Sequence, residues 1–189
     1  MVVAALAQRA GHRAVTSGGS SVTDEERAVV AAQLNRPPRG VHRVAHRCAC
    51  GLPDVVETSP RLEDGTPFPT TYYLTCPRAA SAVGRLEASG RMREMTARLA
   101  DDPDLAAAYS AAHEAYLARR DAVAAEVGVE PLPTRVSAGG MPTRVKCLHV
   151  LVAHELADPG TNPLGREALD ELDDWSVAGP CVTPAAAPA

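Results

Sequence analysis

Aromatic residues are scarce in this 189-residue chain: they make up 3% of it, with one Phe, one Trp and four Tyr. A core built on large rings is therefore not expected, and Leu, Val, Ala and Met are predicted to fill it. Apolar residues still reach 46% and charged residues 22%, which is typical of a chain that buries a core. The length favours one domain with frayed ends, since two full domains would be cramped.

The chain also lacks a strong excess of positive or negative charge. Its formal net charge is −4, and no long run of like charge occurs. Strong attraction to nucleic acid or to a membrane surface is therefore not expected. No stretch approaches the roughly 20 apolar residues that span a bilayer, and the opening residues lack the basic region of a signal peptide. The sequence predicts a cytoplasmic protein with reduced thiols, and an odd count of five cysteines agrees with this prediction.

Three segments follow from the distribution of turn-forming and apolar residues. Residues 1–21 end in TSGGSS and predict a disordered leader, residues 22–174 predict a single domain, and residues 175–189 predict a disordered tail. Within the domain, the capping-box pattern at Thr23 and Glu26 predicts a helix that begins at Asp24. The overall prediction is an α+β domain in which a small antiparallel sheet of about three strands packs with four to six helices.

The strand pattern is confined to a short part of the chain. VHRVAHRC and PDVVETS flank a CACG turn and predict a hairpin, and a third strand is expected over residues 70–76. The longest predicted helix opens at Asp102 and Pro103 and ends near Gly128. A later helix is expected over about Pro142–Ala157.

The cysteines supply the first candidate site. Cys48, Cys50, Cys76 and Cys147, with His149 nearby, offer the ligands that tetrahedral zinc prefers, and an iron–sulfur cluster is the less favoured alternative. On a regular helix, Cys147 and His149 would point about 200° apart, which opposes shared ligation. The structural alternative is that no metal is bound and that these thiols pack as small hydrophobic side chains.

A second candidate site lies on the longest predicted helix. Tyr109, His113, Tyr116 and Arg120 recur at helical spacing and align along one face. His113, Tyr116 and Arg120 are candidate catalytic residues, since such a set can bind an anion or shuttle a proton. The same spacing is typical of a core-facing stripe with polar ends, and this structural interpretation is the favoured one.

A third candidate site is the segment SAGGMPTRVK. Gly139 and Gly140 precede the helix expected from Pro142, and Arg144 and Lys146 add positive charge. Free backbone N–H groups at a helix start beside cationic side chains can bind a phosphate or a carboxylate. The segment matches no nucleotide-binding motif, and a flexible hinge ahead of the helix is an equal alternative.

The strings QLNRPPRGVHRVAHRCACGLPDVVETSPRLEDGTPFPTTYYLTCP and SAGGMPTRVKCLHVLVAHELADPGTNPLG resemble the domain-of-unknown-function family numbered 501. The resemblance covers about residues 22–172. It implies a bacterial protein with no established activity, associated with cell-division or envelope processes through its genetic neighbours. It also directs attention to Cys48, Cys76, Cys147 and His149 as the metal-ligand set, with Cys50 as the alternative fourth ligand.

Three functional hypotheses remain open from the sequence. The leading one is an accessory protein with a Cys/His zinc site that acts through a protein partner. The second is an enzyme that acts on a phosphorylated or otherwise anionic small molecule, using the arginine and histidine side chains and the glycine pair. The third is an interaction scaffold that binds no metal. Composition and motifs do not establish an enzymatic reaction.

Overall fold

The computed structural model describes residues 22–183, so the predicted leader and residues 184–189 of the predicted tail lie outside the described range. Its architecture is α+β, as predicted, with a three-stranded antiparallel sheet and six helices in the described part of the chain. The strands are β1 Val41–Arg47, β2 Pro53–Thr58 and β3 Tyr72–Leu74. The helices are α1 Asp24–Leu34, α2 Pro77–Ala88, α3 Arg91–Asp101, α4 Pro103–Val127, α5 Leu148–Ala157 and α6 Pro163–Glu171.

Helix α1 begins where the capping-box pattern predicts. The Thr23 hydroxyl accepts a hydrogen bond from the Glu26 N–H at 3.2 Å, and the Glu26 carboxylate accepts one from the Thr23 N–H at 2.8 Å. Two backbone donors that a helix start leaves unpaired are thereby satisfied. Asn35 ends the helix in the left-handed conformation, which asparagine tolerates better than most residues.

The sheet has β2 at its centre, paired antiparallel with β1 on one side and β3 on the other. Helix α5 packs against all three strands. Helix α1, which precedes the sheet in the chain, contacts β2. All six residues of β2 are buried, so this strand lacks the alternation of a half-exposed strand. The carboxylate of Glu57 on β2 is therefore buried, and two arginines neutralise it.

Helix α5 begins at Leu148, six residues later than the sequence pattern indicates. A tight loop precedes it, in which the Lys146 N–H donates to the Gly139 carbonyl at 2.7 Å. Gly140 has φ +95°, and a Cβ there would lie 2.6 Å from the Arg144 carbonyl oxygen. The glycine pair therefore closes a loop, and it does not start a helix.

Four of the six aromatic side chains lie in the core, contrary to the expectation from composition. Tyr72, Tyr109, Tyr116 and Trp175 all belong to the cluster of buried residues formed by the sheet and the helices. Trp175 falls within the predicted tail, so the packed part of the chain extends beyond residue 174. Within residues 22–183, no helix combines the length and apolar character needed to cross a membrane.

His154 on α5 is a buried histidine held in its neutral form. It is 1% exposed, stacks on Tyr72 at a centroid distance of 5.4 Å, and meets Tyr116 edge-on at 5.2 Å. The Asn162 amide nitrogen lies 3.3 Å from its Nδ1. Burial lowers the pKa of His154 to about 4, and the charge of Asp158 opposes this shift.

This low pKa predicts a specific loss of stability in acid. Because the unfolded imidazole titrates near 6.5, the unfolded state binds more protons between pH 6.5 and 4. The stability contribution of neutral His154 is complete above pH 6.5 and falls by about 3 kcal/mol as the pH drops through that window.

Urea unfolding at several pH values measures this effect. His154→Gln keeps a polar side chain but cannot titrate, so we expect its free energy of unfolding to change less between pH 7.5 and 4.5 than that of the unsubstituted protein. If the free energy of unfolding changed equally with pH in the two proteins, the low pKa of His154 would be contradicted.

Candidate metal centre and its pocket

Three side chains with metal-binding atoms meet where α2 packs against the start of α5. They are Glu87 in the last turn of α2, Cys147 at the N-cap of α5, and His149 in its first turn. One ligand atom from each residue lies within 4.8 Å of the other two. The His149 Nδ1 is 3.9 Å from the Cys147 Sγ and 3.1 Å from the Glu87 Oε1.

The predicted objection to pairing Cys147 with His149 does not hold, because Cys147 is not helical. Its backbone is extended, with φ −156° and ψ 110°, and the helix starts one residue later. The 100° rotation per residue of an α-helix therefore does not separate the two side chains. A cysteine at the N-cap and a histidine two residues on can thus present their ligand atoms to one ion.

The contacts of His149 fix which of its ring nitrogens faces the other two residues. Its Nε2 lies 3.0 Å from the Ala80 carbonyl oxygen, which can only accept, so Nε2 carries a hydrogen. Its Nδ1 faces a thiol and a carboxylate, two groups that favour a cation between them. Hydrogen bonding to Cys147 and Glu87 outweighs partial burial and raises the pKa of His149 to about 9.

A backbone group at the start of α5 fixes the position of the Glu87 carboxylate. Its Oε1 accepts the Leu148 N–H at 2.6 Å, so the carboxylate caps the first turn of α5. The helix whose start the anion-binding hypothesis used therefore begins at Leu148 with an internal carboxylate already bound to it. The cluster is therefore fixed by a contact between residues 61 positions apart.

The predicted ligand set is not assembled as a whole. Cys147 and His149 come together, whereas neither Cys48 nor Cys76 belongs to a group of three metal-binding atoms among residues 22–183. The thiol of Cys48 neighbours that of Cys50, and burial raises the pKa of Cys48 to about 12. The thiol of Cys76 neighbours that of Cys181, and burial raises its pKa to about 11. These two thiols are buried in the core and pack there as hydrophobic groups outside the cluster.

The CACG segment is a turn that closes the β1–β2 hairpin. The Gly51 N–H donates to the Cys48 carbonyl at 2.8 Å, and the Cys48 N–H donates to the Leu52 carbonyl at 2.9 Å. Gly51 has φ +85°, a conformation that favours glycine. Cys50 lies half-buried in this turn and outside the cluster at α5.

The only other such group among the described residues consists of His42, Glu57 and Glu126. Arg119 binds Glu57 through its Nε and Nη2 at 2.6 and 2.7 Å, and it also binds Glu126. Arg43 adds a further bond to Glu57 at 2.6 Å. Guanidinium groups thus provide the positive charge that a metal would otherwise supply.

The predicted stripe on α4 fixes neighbouring segments. Arg120 is buried and donates to the Val136 and Thr134 carbonyls at 2.8 and 2.7 Å, and the His113 Nδ1 lies 2.8 Å from the Ser137 hydroxyl. Both contacts hold the loop after α4. The other two members of the stripe make similar contacts: the Tyr116 hydroxyl accepts the Thr71 N–H at 2.7 Å, and the Tyr109 hydroxyl donates to the Arg144 carbonyl at 3.2 Å.

The predicted anion-binding residues lie in the loop before α5. Arg144 and Lys146 are exposed there, and the first free N–H of the helix that follows, that of Leu148, is bonded to the Glu87 carboxylate. Arg120, which the same hypothesis uses, has two of its donors engaged by backbone carbonyls. None of these contacts provides a built site for a phosphate.

A pocket of about 600 Å³ adjoins the cluster, between the end of α1, β3 and the first turns of α2 and α5. Its wall includes Gln33, Tyr72, Tyr73, Thr75, Cys147 and His149. The amino-acid sequence does not single out Glu87, Gln33 or Thr75 as site residues. No local pattern marks them, because their role depends on which helices and strands pack together.

The fold and this cluster define an α+β protein with a Cys/His/Glu group at the edge of a pocket. Residues 44–170 match the family described as "Protein of unknown function (DUF501)", and the chain belongs to that family. The matched range runs from β1 into α6 and contains all three residues of the cluster. No curated protein and no solved structure is significantly similar to this chain.

Proposed function

We propose that this protein binds one zinc ion through the Cys147 Sγ, the His149 Nδ1 and a Glu87 carboxylate oxygen. The observation that carries the proposal is the convergence of these three atoms within 4.8 Å of one another. Thiolate, imidazole and carboxylate are the protein ligands of zinc, at distances of about 2.0–2.3 Å. The cluster needs only a small contraction to reach those distances around a shared ion.

The hydrogen bonds that orient the proposed ligands support zinc binding. Metal-binding histidines usually donate their second ring N–H to a carbonyl or a carboxylate, and the His149 Nε2 has such a partner in the Ala80 carbonyl. The Leu148 N–H orients the Glu87 carboxylate in the same way. Both contacts preorganise the ligand atoms before an ion arrives.

Three protein ligands leave one position of a tetrahedral ion open, which is typical of catalytic rather than structural zinc sites. Cys147 and His149 line the pocket, so that position would face it. A zinc ion there would polarise a bound oxygen or activate a water molecule. The pocket favours a zinc-dependent activity on a small molecule. A role as an accessory protein of cell division or the envelope, with a protein partner, rests on family resemblance alone.

Elemental analysis of protein purified without a metal-affinity column tests the proposal. We expect about one equivalent of zinc, and at least a hundredfold weaker binding in Cys147→Ser, because removing a ligand costs more than the roughly 10–100-fold loss seen for outer-shell partners. Cobalt substitution provides a second measurement, since a thiolate–cobalt absorption band reports ligation by Cys147.

Cys50→Ser and Cys76→Ser are matched controls from the originally predicted set, and both should retain the metal. Thermal unfolding of each variant establishes that it is folded. A folded, metal-free protein that takes up no added zinc would contradict the proposal and favour a metal-free scaffold. Loss of zinc in Cys76→Ser, with zinc retained in Cys147→Ser, would instead restore the original ligand set.

A further inference from the structure

Two buried polar atoms at the pocket wall lack a hydrogen-bond partner within the described chain. They are the Gln33 Oε1 and the Thr75 Oγ1, in side chains that are 7% and 2% exposed. Both residues line the pocket next to the candidate zinc site. Leaving a buried polar atom unpaired costs about 1–3 kcal/mol, so such atoms at a cavity wall indicate a missing partner.

The orientation of the Gln33 amide follows from its contacts. Its Nε2 donates to the Pro53 carbonyl at 2.6 Å, and a carbonyl oxygen can only accept. The amide therefore cannot be reversed, and Oε1 remains the free end. Because Oε1 is an acceptor, its partner must supply an N–H or O–H group.

Apart from the proposed zinc ligands Cys147 and His149, the wall formed by residues 22–183 contains no Asp, Glu, Lys or Arg. It combines hydroxyl groups with tyrosine rings and aliphatic side chains. Phosphate sites typically use Arg or Lys, and none is present here. A zinc ion with one thiolate, one carboxylate and a neutral imidazole would also carry no net charge.

We infer that the pocket binds an uncharged small molecule that donates a hydrogen bond to the Gln33 Oε1 and forms another with the Thr75 hydroxyl. Its apolar part lies against the tyrosine rings and aliphatic side chains, and the pocket volume suits such a ligand. The molecule also carries an oxygen or nitrogen that coordinates zinc, and this last element rests on the proposed function.

Calorimetric titration of zinc-loaded protein with two probes that share a phenyl ring tests the ligand class. Benzohydroxamic acid is uncharged in solution at neutral pH and donates hydrogen bonds; it coordinates zinc as the hydroxamate, with release of one proton. Phenyl phosphate is an anion before it binds. We expect benzohydroxamic acid to bind at least about tenfold more tightly, because it chelates zinc and the described part of the wall offers no Arg or Lys to a phosphate. Equal or tighter binding of phenyl phosphate would overturn the inference.

Thr75→Val tests the position of the ligand. Loss of one hydrogen bond should weaken benzohydroxamic acid binding by about fivefold. The ligand-free variant should gain about 2–4 °C in Tm, since an unpaired buried hydroxyl is removed. Weaker binding by a more stable protein cannot be explained by unfolding.

Thr71→Val makes the same chemical change away from the pocket. The Thr71 side chain is buried beside the Tyr116 hydroxyl and does not line the pocket wall. We expect unchanged affinity in this variant, and equal affinity losses in the two valine variants would overturn the inference.

A third probe separates this inference from the proposed function. If the protein takes up no zinc, benzamide, which keeps the ring and the N–H donors, is titrated into metal-free protein. Weaker benzamide binding in Thr75→Val than in Thr71→Val would support the pocket ligand even though the zinc proposal had failed. Absence of benzamide binding, or equal binding by the two variants, would overturn the inference.

Discussion

Replacing Glu57 with glutamine should lower the free energy of unfolding by about 3–5 kcal/mol, because it leaves two arginines without their shared counter-charge. The Glu57 carboxylate is 0% exposed. Arg119 binds both of its oxygens, and Arg43 approaches from β1. Glutamine has the same shape, but its NH₂ group would face guanidinium donors, so at least one bond becomes a repulsive contact.

Glu126→Gln is the matched control on the same network. Glu126 also binds Arg119 and His42, but its side chain is 44% exposed, so water can replace its contacts. We expect a loss below about 1 kcal/mol for this variant. Urea unfolding at pH 7 measures both effects. Similar losses for the two variants would show that the burial of Glu57 does not determine its contribution.

Features set by neighbouring residues could be predicted from the sequence. The capping box at Thr23, the proline at the start of α4, and the glycine that ends α4 are all confirmed at their predicted positions. Each depends on backbone hydrogen bonding within a few residues. The α+β fold class could be predicted from these boundaries, because they separate one short group of strands from a long helical region.

The start of α5 illustrates where a local pattern was insufficient. Pro142 is a common first residue of a helix, yet the chain there returns on itself through the contact between Lys146 and Gly139. That contact packs the loop against α5, since a Cβ at Gly139 would lie 3.0 Å from the Leu151 side chain. The loop is thus determined by a neighbour that is distant in sequence.

The candidate site was only half predictable for the same reason. Cys147 and His149 are close in sequence and belong to a chemically suggestive pair. Glu87 is one of several glutamates on exposed helix faces, and only the packing of α2 on α5 distinguishes it. Cys48 and Cys76 shared the right chemistry, but the fold buries their thiols beside those of Cys50 and Cys181.

Gly165→Ala should be the most disruptive single-methyl substitution at the packing of α5 and α6. A Cβ at this position would overlap the Leu151 carbonyl oxygen and lie 2.8 Å from the Leu151 carbonyl carbon. Backbone atoms of a helix cannot move aside as a side chain does, so the helices must separate. We expect a loss of about 3 kcal/mol, which for a chain of this length lowers Tm by about 6–12 °C.

Gly84→Ala separates this packing effect from the intrinsic preference of helices for alanine. Gly84 lies within α2, and a Cβ there would meet no atom of residues 22–183 within 4 Å. This variant should gain about 0.5–1 kcal/mol, because alanine loses less conformational entropy than glycine in a helix. Thermal unfolding of both variants decides the point: a loss in Gly165→Ala as small as 0.5 kcal/mol would mean that α6 shifts freely on α5. Because Leu151 lies two residues after His149, we expect Gly165→Ala, and not Gly84→Ala, to weaken zinc binding as well.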